Sequence, residues 1–310
     1  MRQIKEDAYA LRTMFAMLLA FLLLTFAITV DAQAPSKPDL IEVIEITGEI
    51  HNGAVLSVAQ AVEKINDTPK VKGVLVVVNS PGGGALASAV LYQELSKLKV
   101  PAVGFCEYLC ASGGLYALMA PSIKYIAVRS ETISGSVGVI ATVTRYNRLL
   151  DWAKIDSETY KSGPLKDAGN PTRAAQDEER KYMQGIVDDL AAKFHGIVSK
   201  ARPKADMAVL KTARVFIGDQ AVKVGLVDSV MTRDEAVKKV KELAGTKNAF
   251  TREELRKITK DASEAAGSTL TTPQPRMDGW LDNANYLVDV VREIKSGESI
   301  RFEYRMPYRF

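Results

Sequence analysis

The chain has 310 residues, 47% of them hydrophobic and 25% charged, which supports an ordinary folded core and argues against intrinsic disorder. Its net charge of +4 is mild and no basic stretch is clustered, so nucleic acid is set aside as a partner. The two histidines, His51 and His195, and the two cysteines, Cys106 and Cys110, leave little material for a Ser-His-Asp triad, a metal centre or a disulfide framework, and no cofactor or metal is expected.

Residues 13–30 carry no charge. At ~1.5 Å per residue they reach about 27 Å, close to the hydrocarbon thickness of a bilayer. Ala32-Gln33-Ala34 has the small-x-small form of a signal cleavage site, but Pro35 just after it would obstruct a protease that holds its substrate extended. A retained N-terminal transmembrane anchor is therefore expected. Arg2, Lys5 and Arg12 precede the segment and only Lys37 follows closely, which places the N-terminus in the cytoplasm and the body outside it.

Residues 35–39 read as a stiff spacer, and 40–46 as a strand. Helical spacing covers 54–65, and the β-branched run Gly-Val-Leu-Val-Val-Val at 73–78 has the pattern of a strand buried on both faces of a parallel sheet. A helix at 85–98, a strand at 101–105, a helix at 112–119 and a strand at 124–128 continue the alternation. The fold class is α/β, a parallel sheet with right-handed crossover helices. A long amphipathic helix is predicted over 175–201, opened by an acidic turn that suits a helix N-terminus. Residues 216–230 fit a short helix turning through Gly225 into a last strand, and 232–244 a solvated helix. After Gly245 the composition turns polar, with a linker at 267–277, an amphipathic helix at 280–294 and an alternating aromatic-basic tail from Arg301. Three regions result: 1–34 anchor, 35–245 main domain, 246–310 linker, helix and tail. The tail is a candidate strand for a neighbour's groove or a patch resting on lipid, and a flexible terminus explains it nearly as well.

Four Gly-Ser-Lys segments follow strands or open helices. Asn79-Ser80-Pro81-Gly82-Gly83-Gly84 lies at the carboxyl end of the buried strand, where open α/β sheets place their ligands. Consecutive glycines let backbone N–H groups approach a substrate, and Gly83 is the chosen oxyanion donor. A phosphate loop competes, but the Walker lysine and hydroxyl are missing. Ser112 opens a helix, which would aim its Oγ into the cleft and expose the Gly113 amide as a second donor; an N-cap is the common role of a serine there. With no histidine nearby, a serine nucleophile needs another base, and a lysine desolvated beside apolar groups can supply a neutral amine. Lys161 and Lys166 both flank the turn Ser162-Gly163-Pro164. Ser136, in the Gly-rich turn 134–138, is placed to orient such an amine or simply to cap the turn.

In order, NSPGGG, ASGG, SGSVGVI, KSGPLKD with NPTR, and FIGDQAVKVGLVDSV resemble the signal peptide peptidase A family, membrane-bound Ser-Lys proteases that share a fold with Clp protease and the crotonases. The likeness runs over residues 40–230. It implies a Clp protease/crotonase-like core and Ser112 as nucleophile. It also implies Lys166 as general base, Ser136 as the lysine's partner, and Gly83 with Gly113 as oxyanion donors. Lys161 matches the family's earlier lysine, which is not the base. A homo-oligomeric ring is implied, with the dyad completed between neighbouring subunits, as are signal peptide remnants or other extended hydrophobic peptides as substrates at the outer membrane face. A crotonase-like acyl-CoA enzyme leaves the anchor and KSGPLKD without explanation; an inactive membrane scaffold is the other rival. Cys106 and Cys110 are expected to be free thiols, ~13 Å apart if the strand is extended and closer only if a turn intervenes.

Overall fold

The computed structural model describes residues 38–268, with side chains described to residue 261. The uncharged segment 13–30, the helix expected at 280–294 and the tail from Arg301 lie outside the described residues. Among those described, no helix is long and apolar enough to cross a membrane.

The strands are β1 (Asp39–Thr47), β2 (Val71–Ser80), β3 (Ala102–Ala111), β4 (Ile123–Val128), β5 (Ile133–Gly135), β6 (Val215–Ile217), β7 (Ser229–Val230) and β8 (Ala249–Thr251). Between them run α1 (Asn52–Asn66), α2 (Ala85–Ser96), α3 (Gly113–Leu118), α4 (Asn147–Ala153), α5 (Asp177–Ala201), α6 (Met207–Leu210), α7 (Gly218–Lys223), α8 (Arg233–Leu243) and α9 (Arg252–Ser268). The sheet runs β6-β5-β3-β2-β1-β8, with β4 and then β7 branching from β3. Every pairing is parallel except β5 with β6.

β2 shows why its sequence is an unbroken apolar run. Val74, Val76 and Val78 face the core built with α1, α2, α3 and α5, while Leu75 and Val77 face a second core under Val237 and Val240 of α8. Alternate side chains meet different apolar layers, so no position is left for a polar residue. The sheet continues past Gly245: β8 pairs with β1, and Arg252 forks onto Glu42 at 2.9 and 2.6 Å.

The sheet branches at a bulge in β3. Residues 102–106 pair with β4, and Leu109, Cys110 and Ala111 pair with β5. Against β2 the register passes from Val78 opposite Cys106 to Ser80 opposite Cys110, so four residues of β3 match two of β2. The ~13 Å expected for an extended strand presupposed no such irregularity; the register shift brings the two cysteines closer than that, and both are free thiols.

Residues 139–176, between β5 and α5, form an arm. α4 buries none of its side chains, and Ile140 and Trp152 are 86% and 80% exposed.

Candidate active site

Ser112 is the joint between β3 and α3, and its backbone is strained for a residue bearing a Cβ, at φ 50° and ψ −119°. Two bonds hold it there: its N–H donates to Gly135 O at 2.9 Å, and its carbonyl accepts from Tyr116 N at 2.9 Å. Its Oγ makes no capping bond, so the common role of a helix-opening serine is not taken. A half-buried hydroxyl on a strained strand-to-helix turn is the geometry of a nucleophile elbow.

The glycine loop lies against this turn. A Cβ on Gly82, which has φ 101°, would come within 2.7 Å of Gly113 N and 3.1 Å of Ser112 Oγ. The three glycine amides, alike in sequence, have different employments. Gly82 N donates to Ser80 Oγ at 3.1 Å and Gly84 N to Ile50 O at 3.1 Å. The N–H of Gly83 donates to no group among the described residues, and neither does that of Gly113. Two amides without a partner among the described residues thus belong to the Ser112 turn and to the glycine loop packed on it through Gly82, and such donors are what an oxyanion site needs. Ser136, at φ 53°, follows Gly135 and so stands at the end of β5 beside Ser112 at the end of β3.

Lys166 sits in the arm, in a turn where its N–H donates to Gly163 O at 3.2 Å. Its side chain is exposed, and its amine bonds neither Ser112 nor Ser136 within the single chain. Lys161 is committed elsewhere, donating to Asp167 Oδ1 at 2.7 Å and Pro164 O at 3.0 Å. The turn is braced from below by Glu179 of α5, only 2% exposed. Its carboxylate accepts from Gly169 N at 2.6 Å, Arg173 Nη1 at 2.7 Å, Arg145 Nη2 at 2.9 Å and Gln176 N at 3.4 Å. Arg173 also reaches Asp167 Oδ2 through Nε at 2.8 Å. The Gly169 amide, then Arg145 and Arg173, hold the Glu179 carboxyl down at about 2, and Arg173 with Lys161 holds Asp167 well below the usual carboxylate range.

Residues 94–247 match peptidase family S49. A protein of Synechocystis sp. named as a protease is 34% identical over 206 residues, which cover 65% of this chain and 73% of that protein. This chain belongs to peptidase family S49. An S49 relative from Enterococcus faecium, named as signal peptide peptidase SppA, is 39% identical over 184 residues, or 58% of this chain and 53% of that one. A Methanocaldococcus jannaschii protein named as a protease is 39% identical over 182 residues, or 57% of this chain and 58% of that one. The chain therefore spans only a little over half the length of these last two. The S49 match takes in Ser112, Gly113, Ser136 and Lys166, while the glycine loop at 82–84 precedes it.

Among the described residues of this S49 chain no cluster of His, Cys, Asp and Glu could hold a metal ion. Several residues that shape the site escape a reading of the sequence. Gly82 is the glycine that admits the Ser112 turn, and Ser80 Oγ, fully buried, ties the loop to Gly48 O at 2.6 Å. Ser88 packs against Gly113 and donates to Gly84 O at 3.0 Å.

Gly83→Ala is expected to lower activity by about 10²-fold or more and to depress Tm, because its Cβ would meet the backbone of Ile50, 2.6 Å from N and 2.9 Å from C. Gly84→Ala is the control, since nothing lies closer than 3.7 Å there. Thermal denaturation with peptidase assays of both variants checks the pair, and equal behaviour would remove Gly83 from the oxyanion site.

Proposed function

We propose that this chain is a membrane-anchored serine endopeptidase of the Clp protease/crotonase-like fold, with Ser112 as nucleophile and Lys166 as general base. The observation that carries the reading is the strained Ser112 turn, whose uncapped Oγ packs against Gly82 of the glycine loop, with the amides of Gly83 and Gly113 left unengaged among the described residues. Ser112 Oγ attacks the peptide carbonyl as Lys166 takes its proton. The two amides hold the tetrahedral oxyanion, the lysine returns the proton to the leaving amine, and water then cleaves the acyl-enzyme with the same lysine as base.

The choice of Lys166 over Lys161 is supported by their partners, since Lys161 is ion-paired to Asp167 and Lys166 is not. A lysine serves as a base only where desolvation favours its neutral form. Lys166 is exposed in the single chain, so it needs cover from a second copy, and the arm that bears it displays apolar side chains that no described residue covers. A homo-oligomeric ring, with Lys166 of one copy completing the site of the next and Ser136 orienting the amine, answers both needs. Signal peptide remnants and other extended hydrophobic peptides at the outer face of the membrane fit an anchor at 13–30 and the name of the Enterococcus relative.

Incubation with a serine-directed phosphonate should add one label per chain, located on Ser112 by peptide mass. A folded, assembled chain that takes up no label would instead be an inactive scaffold.

A further inference from the structure

β3 carries a feature that the proposed chemistry leaves unused. Cys106 and Cys110 are both fully buried and face the same core layer as Val78, Leu115 and Leu118. Their partners on β2, Val78 and Ser80, are two residues apart although the cysteines are four apart. Two residues of strand span about 6.6 Å, so the cysteine Cα atoms lie at about that separation, inside the ~7 Å limit for a bridge. Burial raises the Cys106 thiol first, and the neighbouring Cys110 side chain raises it further. Across from Cys110 in register on β5 stands Ser134, whose buried hydroxyl has no hydrogen-bond partner among the described residues and is free to follow a sulfur that moves.

We propose that Cys106 and Cys110 form a dithiol–disulfide site whose closure straps the β3 bulge and slows the reaction of Ser112. Closure is a thiol–disulfide exchange with an acceptor disulfide. One sulfur attacks it and releases a thiol; the second then displaces the other half, so that one S–S bond breaks, one forms, and both protons leave on the acceptor's two thiols. Burial pushes the Cys106 thiol well up, so the folded chain closes slowly, through local opening or during folding.

The direction of the effect follows from what holds each cysteine. Drawing the two sulfurs of free thiols to a bond of ~2.05 Å requires one backbone to move. Cys106 is fixed between Val78 of β2 and Val128 of β4. Cys110 is also paired on both sides, with Ser80 of β2 and Ser134 of β5, but it lies beyond the bulge in shorter ladders than those that end at Cys106, and two residues before Ser112. Movement therefore falls on Cys110, and Ala111 and Ser112 go with it. A displacement of ~1 Å at a reacting atom can cost about 10²-fold. The coupling to Ser112 rests on the serine-nucleophile reading, whereas the bond itself does not.

The full chain in detergent is equilibrated with oxidised glutathione or with dithiothreitol, denatured, alkylated with iodoacetamide and weighed intact. The oxidised sample should take up no alkyl group and the reduced sample two. Phosphonate labelling of Ser112 should be slower by about tenfold or more in the oxidised form, recover with dithiothreitol, and be the same in both buffers for Cys106→Ala. Two alkyl groups after oxidation, or a persistent glutathione adduct, overturns the site, and closure with unchanged labelling overturns the coupling. If even the reduced protein takes no label, the serine reading has failed by itself. The coupling is then read from deuterium exchange of the Ser112 amide, which bonds Gly135 O: faster exchange on oxidation supports it and unchanged exchange overturns it.

Discussion

Ser112→Ala and Lys166→Ala are each expected to lower peptidase turnover by at least about 10³-fold while leaving the folded chain intact. Alanine keeps the Cβ that serine already places at φ 50°, so no new strain enters the turn. Lys166 is exposed and its side chain holds no partner among the described residues, and surface changes of that kind shift stability by about 0.5 kcal/mol or less. Mixing tells more than either variant. If Lys166 serves the neighbouring copy, an oligomer assembled from equal parts of the two inactive proteins contains sites with Ser112 from one and Lys166 from the other. A site draws the intact serine half the time and the intact lysine half the time, so activity should return to about a quarter of the unmodified value. Rates measured after subunit exchange check this. No recovery would mean that the dyad is not shared between copies, and full activity in either single variant would remove that residue from the chemistry.

The strands and helices of the core are legible in the sequence because their burial is local and periodic. Val74 to Val78 alternate between two apolar layers, and Thr232 caps α8 through Glu235 N, so pattern alone finds them. β5 and β6 escape, since each has three residues and exists through its partner rather than through its own propensity. The site divides in the same way. Ser112 stands out through the glycines that follow it, but Gly82, Gly83 and Gly84 are equivalent until Ile50 and Ser112 close around them. Lys161 and Lys166 are likewise separated only by which of them reaches Asp167. The acidic turn of α5 reads as a complement to the helix dipole, yet its third carboxylate is buried against an arginine 34 positions away. The proximity of Cys106 and Cys110 depends on a bulge, and nothing periodic announces a bulge.

That third carboxylate leads to the other large effect. Glu179→Gln is expected to free the turn that carries Lys166 and to reduce kcat by about 10²-fold, with a smaller change in KM. Four donors converge on the Glu179 carboxylate: the amides of Gly169 and Gln176, Arg145 Nη2 and Arg173 Nη1. Glutamine offers one acceptor oxygen and turns an N–H₂ toward groups that can only donate, leaving Arg145 without its counter-charge and Arg173 with that of Asp167 alone. Removing one partner of a buried ion pair costs about 3 kcal/mol. The loss should be local, because α4 contributes no buried side chain to the core and the sheet does not depend on it. Tm should therefore change little while amide exchange accelerates across 140–176. The dependence on pH gives a readout that loosened packing alone would not. Glu179 has a folded value near 2, below the ordinary ~4.3, so its contribution is complete above that ordinary value and disappears as the pH falls from there toward 2. Asp167 is shifted in the same direction and adds to the effect. The exchange difference between Glu179→Gln and the unmodified chain should be large at pH 7 and shrink as the pH falls through about 2, where the glutamate itself becomes protonated. A difference that persists at low pH, or a variant with unchanged kcat, would show that Lys166 is held in place by something other than this carboxylate.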